Sequence, residues 1–310
     1  MHPDKICDRV SDAILDACLE QDPNSRVAVE TMGGHRKIIV MGEITTDAKV
    51  NFEEVVRSVY SDVDSVQAHI VQQSNFISQG VDTGGAGDQG IMVGYACDDN
   101  QQMIPQELYL ARQLCQILYE DYPFDGKTQV TLDDGVITAV VASFQNTSGL
   151  ELYNRVEEWL EDQGYKNPSG SVDIHCNPAG DWELGGFDAD TGLTGRKLVV
   201  DNYGPRVPIG GGAFSGKDPS KVDRSAAYMA RRIAVDYLNK FTAKEVYVYL
   251  AYAIGHPAPV QATAIVDGVH HDVKGYDLTP GGIANLLELK QPKYRQTAAW
   301  GHFGNGFLWG

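Results

Sequence analysis

Residues 210 to 228 read Gly-Gly-Gly-Ala-Phe-Ser-Gly-Lys-Asp-Pro-Ser-Lys-Val-Asp-Arg-Ser-Ala-Ala-Tyr, a glycine-rich loop entering a helical pattern with lysines at 217 and 221. Such a segment can grip a polyphosphate. Glycines let the backbone approach oxyanions closely, and the free N–H groups and dipole of a helix start favour negative charge. Asp218 and Pro219 are placed to be the N-cap and first residue of that helix, and Lys217 and Lys221, four apart, can then lean toward one anion. Gly211 and Gly216-Lys217 keep the Walker spacing, but Asp218 stands where a magnesium-binding Ser or Thr belongs. A glycine hinge before an ordinary helix is the plain alternative.

Four more segments combine glycine with charge in a way packing does not require. His2-Pro3-Asp4-Lys5 puts an imidazole, a carboxylate and an ammonium within one turn of a helix start. Gly85-Ala86-Gly87-Asp88-Gln89-Gly90 carries a lone carboxylate, Asp125-Gly126-Lys127 opens a hairpin, and residues 190–197 deliver Asp190, Arg196 and Lys197 together. Each alone reads equally as an exposed turn or a solvated strand end.

The elements that must position these residues recur in one order. Helical periodicity after a polar start runs over Pro3–Gln21, Pro105–Glu120 and Pro219–Lys240. A β-rich pair follows each: Arg26–Glu30 with Lys37–Thr46, Thr128–Leu132 with Val136–Gln145, and Val246–Ile254 with Val260–Val266. Asp133-Asp134-Gly135 makes the second pair the clearest hairpin. A further helix follows each pair, over Phe52–Asp62, Leu150–Gln163 and Thr279–Leu289, and strands over Ile91–Ala96 and Leu193–Val200 precede the second and third long helices. The expectation is an α+β chain of three similar strand–helix–strand–strand–helix–strand units, spanning 1–83, 84–184 and 185–310, with the leading strand of unit one absent.

Composition narrows the chemistry. The 310 residues carry a net charge of −17, which argues against nucleic-acid binding and requires any polyphosphate to be held by a local basic cluster or through metal ions. No apolar run reaches the ~18 residues of a membrane span, and Met1-His2-Pro3-Asp4-Lys5 is no signal peptide, so the cytoplasm is the expected location. The five cysteines, at 7, 18, 97, 115 and 176, form no C-x-x-C pair and read as reduced thiols in apolar segments. His175, His270 and His271 lack partners at zinc spacing.

Taken in order, His2-Pro3-Asp4-Lys5, Gly42-Glu43-Ile44-Thr45-Thr46, Gly85 to Gly90, Gly192 to Lys197, Gly210 to Ser225 and Gly301-His302-Phe303-Gly304 resemble the signatures of the S-adenosylmethionine synthetases, also called methionine adenosyltransferases. The resemblance spans almost the whole chain. It implies three α+β units around a pseudo-threefold axis and a homodimer, or dimer of dimers, with active sites between subunits. It also implies attack of the methionine sulfur on C5′ of ATP, with the expelled tripolyphosphate cleaved to pyrophosphate and phosphate. A neutral thioether needs no general base, so catalysis rests on positioning and on stabilising the departing charge. By resemblance, His2 and Lys127 lie beside the departing O5′, while Arg196, Lys197, Lys217 and Lys221 hold the phosphates. Asp4 and Asp223 correspond to Mg²⁺ ligands and Glu30 to a K⁺ ligand; Glu43, Gln73 and Asp88 to the methionine set; Asp190 to a substrate-side acid; and Trp182 to an aromatic stacked on adenine.

Two departures stand out. No strand with a Glu-Ser-Val-Ser-Glu-Gly-like stretch precedes the His-Pro-Asp-Lys signature, and Val81-Asp82-Thr83-Gly84 is short where relatives carry a longer acidic gate, which predicts a more open site. A P-loop-type nucleotide hydrolase and a non-catalytic regulatory homologue are the competing functions.

Overall fold

The computed structural model describes residues 1–73, 84–165 and 172–310; the short stretch 81–83 expected to gate the site lies outside them. Helix α1 (Pro3–Leu19) starts on an N-terminal proline and is buried on nearly every side. It is followed by β1 (Arg26–Gly34) and β2 (Lys37–Thr45), joined by His35 and Arg36 with φ of 48° and 60°. That left-handed pair makes a two-residue turn whose twist suits a hairpin, so β1 runs four residues past its expected end at Glu30. Next come α2 (Phe52–Val59), β3 (Ser65–Val71) and β4 (Gly90–Cys97). Helix α3 (Gln106–Asp121), β5 (Gly126–Asp133), β6 (Val136–Phe144), α4 (Gly149–Asp162) and β7 (Asp173–Cys176) form the middle of the chain. The β5–β6 turn is the expected one, with Asp134 and Gly135 both at positive φ. The rest comprises β8 (Gly192–Leu193), α5 (Leu198–Asp201), α6 (Val222–Phe241), β9 (Glu245–Tyr252), β10 (Gln261–Val266), β11 (Val269–Asp272), α7 (Pro280–Leu286) and α8 (Tyr294–Thr297).

Among the described residues the strands form three sheets, in the orders β3-β2-β1-β8, β11-β10-β9-β4 and β5-β6-β7, and the molecule is of the mixed α+β class. Strand β4 pairs with β9 over its whole length, and β8 pairs with β1 at Met32 and Gly33. Both leading strands are therefore hydrogen bonded outside their own stretch of sequence. Helices α1, α2, α6 and α7 share one apolar core with the first two sheets, and α3 and α4 enclose a second core against the third. All five cysteines are free thiols, three of them buried, and no described helix is long and apolar enough to cross a membrane.

Two expectations fail locally. Leu193–Val200 is not a strand: Gly195 adopts φ +79° and gives its N–H to Asp8, which turns the chain after two paired residues, and Leu198–Asp201 is helical. Helix α6 starts at Val222 with Lys221 as its N-cap, rather than at Asp218-Pro219. The Asp218 carboxylate instead accepts the N–H groups of Val27 at 2.7 Å and Ser220 at 2.8 Å, which ties the preceding loop to β1.

Candidate active site

The site begins at the first turn of α1. His2 is the N-cap, and its Nδ1 accepts the Asp4 N–H at 3.1 Å. A ring nitrogen that accepts carries no proton, so the neutral imidazole must hold its hydrogen on Nε2. Burial, aided by the nearby Lys197 ammonium, lowers the His2 pKa and keeps the ring neutral. His2, Lys127 and Lys197 line one cavity of about 300 Å³, whose other wall is apolar, with Leu108, Phe144 and Trp300. Lys127 is exposed at the start of β5 and has no ion-pair partner among the described residues.

Beside His2 the fully buried Asp4 carboxylate collects donors. It accepts the Leu193 N–H at 2.9 Å and the Lys197 ammonium, and Arg196 Nε lies 3.2 Å away. Burial alone would raise its pKa, but the Lys197 and Leu193 hydrogen bonds prevail and hold the carboxyl below its ordinary value. Trp182 donates from Nε1 to Asn177 at 3.3 Å, and its loop is tied to this region through the Gly186 N–H on Asp125, 3.1 Å apart. Asp190 is exposed and accepts its neighbour's amide.

A second group is built on the outer face of the first sheet. Side chains alternate along a strand, so Val27, Val29 and Thr31 face the core while Ala28, Glu30 and Met32 face out. Glu30 has a raised pKa, chiefly through burial; Lys217 opposes this and the Glu43 charge adds to it, so the three are electrostatic neighbours. Lys217 meets Asp223 at 2.7 Å, and the other oxygen of Asp223 takes the Gly212 N–H at 3.0 Å. Lys221 pairs with Asp218. The two lysines expected to lean toward one anion thus each hold a separate carboxylate. Gly216 allows this loop to dock: at φ +80° a Cβ would stand 2.0 Å from the Val29 carbonyl oxygen. The main-chain amide of Gln73 donates to Thr45 Oγ1 at 3.3 Å, two residues from Glu43, and its buried Oε1 has no partner among the described residues. Asp88 is exposed and accepts the Gln89 amide, and among the described residues it bonds to neither group.

What the sequence reading missed is the frame behind these residues. Asp4, Asp8, Asp12 and Asp16 recur every four residues and so form a ladder along one face of α1. Asp8 accepts the Gly195 N–H at 2.8 Å, and Asp12 accepts the Gly216 N–H at 2.9 Å while pairing with Arg224 through two bonds of 2.7 and 2.9 Å. Asp16 accepts the amides of Tyr294 and Arg295, both at 2.9 Å. One helix therefore fixes both basic loops and the C-terminal segment. The four-residue repeat of aspartates is a signal that could have found it.

The ladder continues into Gly301-His302-Phe303-Gly304. Arg224 Nε donates to Tyr228 Oη, which leaves the phenol proton for His302 Nδ1 at 2.7 Å. His302 is fully buried, and burial, with the Arg224 charge next, keeps its pKa well below the ordinary value. The unfolded chain then binds the proton that the native chain refuses, so this residue's contribution to stability is lost as pH falls below the unfolded pKa of ~6.5. Urea unfolding at pH 7.5 and pH 5.5 should show a smaller loss on acidification for His302→Phe than for the unaltered protein; equal losses would contradict this assignment.

Comparison with known proteins gives a consistent result. The family models described as S-adenosylmethionine synthetase N-terminal, central and C-terminal domain match residues 1–80, 83–182 and 184–310. The S-adenosylmethionine synthase of Brachyspira hyodysenteriae is 41% identical over 358 aligned positions, covering 98% of this chain and 90% of the relative. That of Treponema pallidum is 42% identical, with 98% and 89% covered, and that of Staphylococcus epidermidis 40%, with 98% and 90% covered.

Proposed function

Since the chain belongs to the S-adenosylmethionine synthetase family and makes S-adenosylmethionine from ATP and methionine, we propose that the reaction is direct displacement at C5′, with the polyphosphate leaving whole. The observation that carries this reading is the composition of the first group. An Nε2–H donor, the Lys127 ammonium, which has no ion pair among the described residues, and the cations of Lys5, Arg112 and Lys197 line one cavity, with Arg196 and Lys197 both held on Asp4 at its edge and no nucleophile–base pair among these groups. Such a site suits a leaving group that takes up charge, and its donors contribute only if they are already oriented when that charge develops. His2 Nε2–H and the Lys127 ammonium donate to the departing O5′, while Arg196 and Lys197 hold the phosphates from one side and Lys217 and Lys221 from the other. The sulfur supplies its own lone pair, so no residue needs to remove a proton. The expelled chain is then hydrolysed to pyrophosphate and phosphate.

Among the described residues no group of three His, Cys, Asp or Glu side chains could hold a metal ion. Single carboxylates flanked by lysines, as at Asp4 and Asp223, nevertheless fit magnesium, which takes one or two carboxylates together with phosphate oxygens and water. We assign Asp4 and Asp223 to Mg²⁺ and Glu30 to K⁺; ions held there would neutralise phosphate charge. Glu43, Gln73 and Asp88 receive the methionine ammonium and carboxylate ends, Trp182 the adenine, and Asp190 the substrate side.

The two groups also bear on assembly. Asp4 and Asp12 are eight residues apart on α1, roughly 12 Å at ~1.5 Å per residue, and they anchor different basic loops. Around Glu30 and Glu43 the same face of the sheet exposes Met32, Met41, Val71 and Leu193, apolar side chains that a second copy would cover. We therefore assign the two groups of one chain to two different active sites, each completed by a second copy. We further assign segments 1–83, 84–184 and 185–310 to three similar layered units about a pseudo-threefold axis, with β4 and β8 each paired in a neighbouring unit's sheet.

Incubation with ATP, Mg²⁺ and K⁺, with and without methionine, tests the reading. Methionine-dependent S-adenosylmethionine, pyrophosphate and phosphate by mass spectrometry is the expected result. ADP as the main nucleotide product, independent of methionine, would mean a nucleotide hydrolase, and no turnover a regulatory homologue.

A further inference from the structure

We propose that Lys5 is a positioning residue for this reaction: it holds Arg196 and Lys197 at a fixed offset from His2 and Asp4. This rests on the functional reading above and adds a role for the one charged residue of the His-Pro-Asp-Lys segment that holds neither substrate nor ion. A lysine beside a polyphosphate site invites assignment as another phosphate ligand. Its ammonium is committed elsewhere. Lys5 Nζ donates to Asp8 Oδ2 at 2.9 Å and to Asp201 Oδ1, and both carboxylates are essentially inaccessible to solvent.

Each of those carboxylates controls one end of the Arg196-Lys197 pair. Asp8 Oδ1 accepts the N–H of Gly195, immediately before the pair, at 2.8 Å. Asp201 closes the short helix immediately after it, and its own N–H donates to the Lys197 carbonyl at 2.9 Å. Lys5 sits in the same turn as His2 and Asp4, its N–H bonded to the His2 carbonyl at 3.0 Å. One buried ammonium therefore links the turn that carries the O5′ donor to both flanks of the dipeptide that carries the phosphate cations. Removing it leaves two buried carboxylates without their shared cation, and breaking such a cluster from one side displaces its members rather than leaving them in place. Displacement of about 1 Å at a reacting centre can lower the rate by roughly 10²-fold.

The test compares Lys5→Met, Lys5→Arg and Asp201→Asn with the unaltered protein in S-adenosylmethionine formation, with melting temperature and circular dichroism recorded for each. Lys5→Met should lower kcat by about 10- to 100-fold with the KM for ATP changed less than about threefold, because the phosphate cations are retained but misplaced. Lys5→Arg, whose fork can still span two carboxylates, should recover most of the loss. Asp201→Asn, which keeps shape and main-chain bonds, should fall between. A merely structural role would move the melting temperature but leave kcat per folded molecule unchanged. The inference is overturned if Lys5→Met or Asp201→Asn folds with kcat within threefold of the unaltered protein, if Lys5→Arg is as slow as Lys5→Met, or if neither Lys5→Met nor Asp201→Asn folds. An unaltered protein that forms no S-adenosylmethionine would instead defeat the functional reading.

Discussion

Lys127→Ala should lower kcat for S-adenosylmethionine formation by about 10²- to 10³-fold, the usual loss when one preoriented donor to developing charge is removed, while the KM for ATP changes little. The difference between the two constants follows from where Lys127 stands. It is exposed, lines the cavity, and its side chain carries no ion pair among the described residues that the substitution would break. In the proposed site Arg196 and Lys197, held on Asp4, would remain to bind the phosphates in the ground state. Only the charge that appears on O5′ as the bond breaks loses its partner. Steady-state kinetics with both substrates varied give the answer; turnover within a few-fold of the unaltered protein would remove Lys127 from the reaction.

The second large effect concerns assembly. Asp4→Asn and Lys217→Ala should each be nearly inactive alone. If the two residues of one chain serve different sites, a mixed dimer places both changes in one site and leaves the other intact. Coexpression with random pairing makes about half of the dimers mixed, each with one working site, so activity should reach about one quarter of the unaltered level. Activity no higher than the mean of the two separate variants would place Asp4 and Lys217 in the same site of one chain.

Much of this was legible in the sequence because it is local. The helix starting at Pro3, the Asp134-Gly135 turn and the alternation along β5 and β6 depend on neighbouring residues, and the structure contains them at those positions. Asp218-Pro219 has the local form of a helix start, yet a tertiary partner, the Val27 amide, takes the aspartate and the helix begins three residues beyond Pro219. The strand expected over Leu193–Val200 is lost in the same way, to Asp8 on a helix nearly 190 residues earlier. Pairing of β4 with β9 and of β8 with β1 is set by packing across the chain, which no local pattern encodes.

The site divides along the same line. His2, Asp4, Arg196 and Lys197 could be picked out by type, and the structure brings them together; Glu30, Glu43 and Lys217 likewise become neighbours. Asp8 and Asp12 do not stand out by type, because a carboxylate on an amphipathic helix ordinarily reads as solvated surface. Here both are fully buried. Their regular spacing from Asp4 was the clue that they face inward.

The central claim is that the bond broken in ATP is C5′–O5′ rather than a bond to phosphorus. ATP carrying ¹⁸O at the 5′ position, turned over once with methionine and analysed by mass spectrometry, tests it directly. The account predicts all of the label in the phosphate products and none in the nucleoside product. Label retained on the nucleoside, as free adenosine or in ADP, would contradict it.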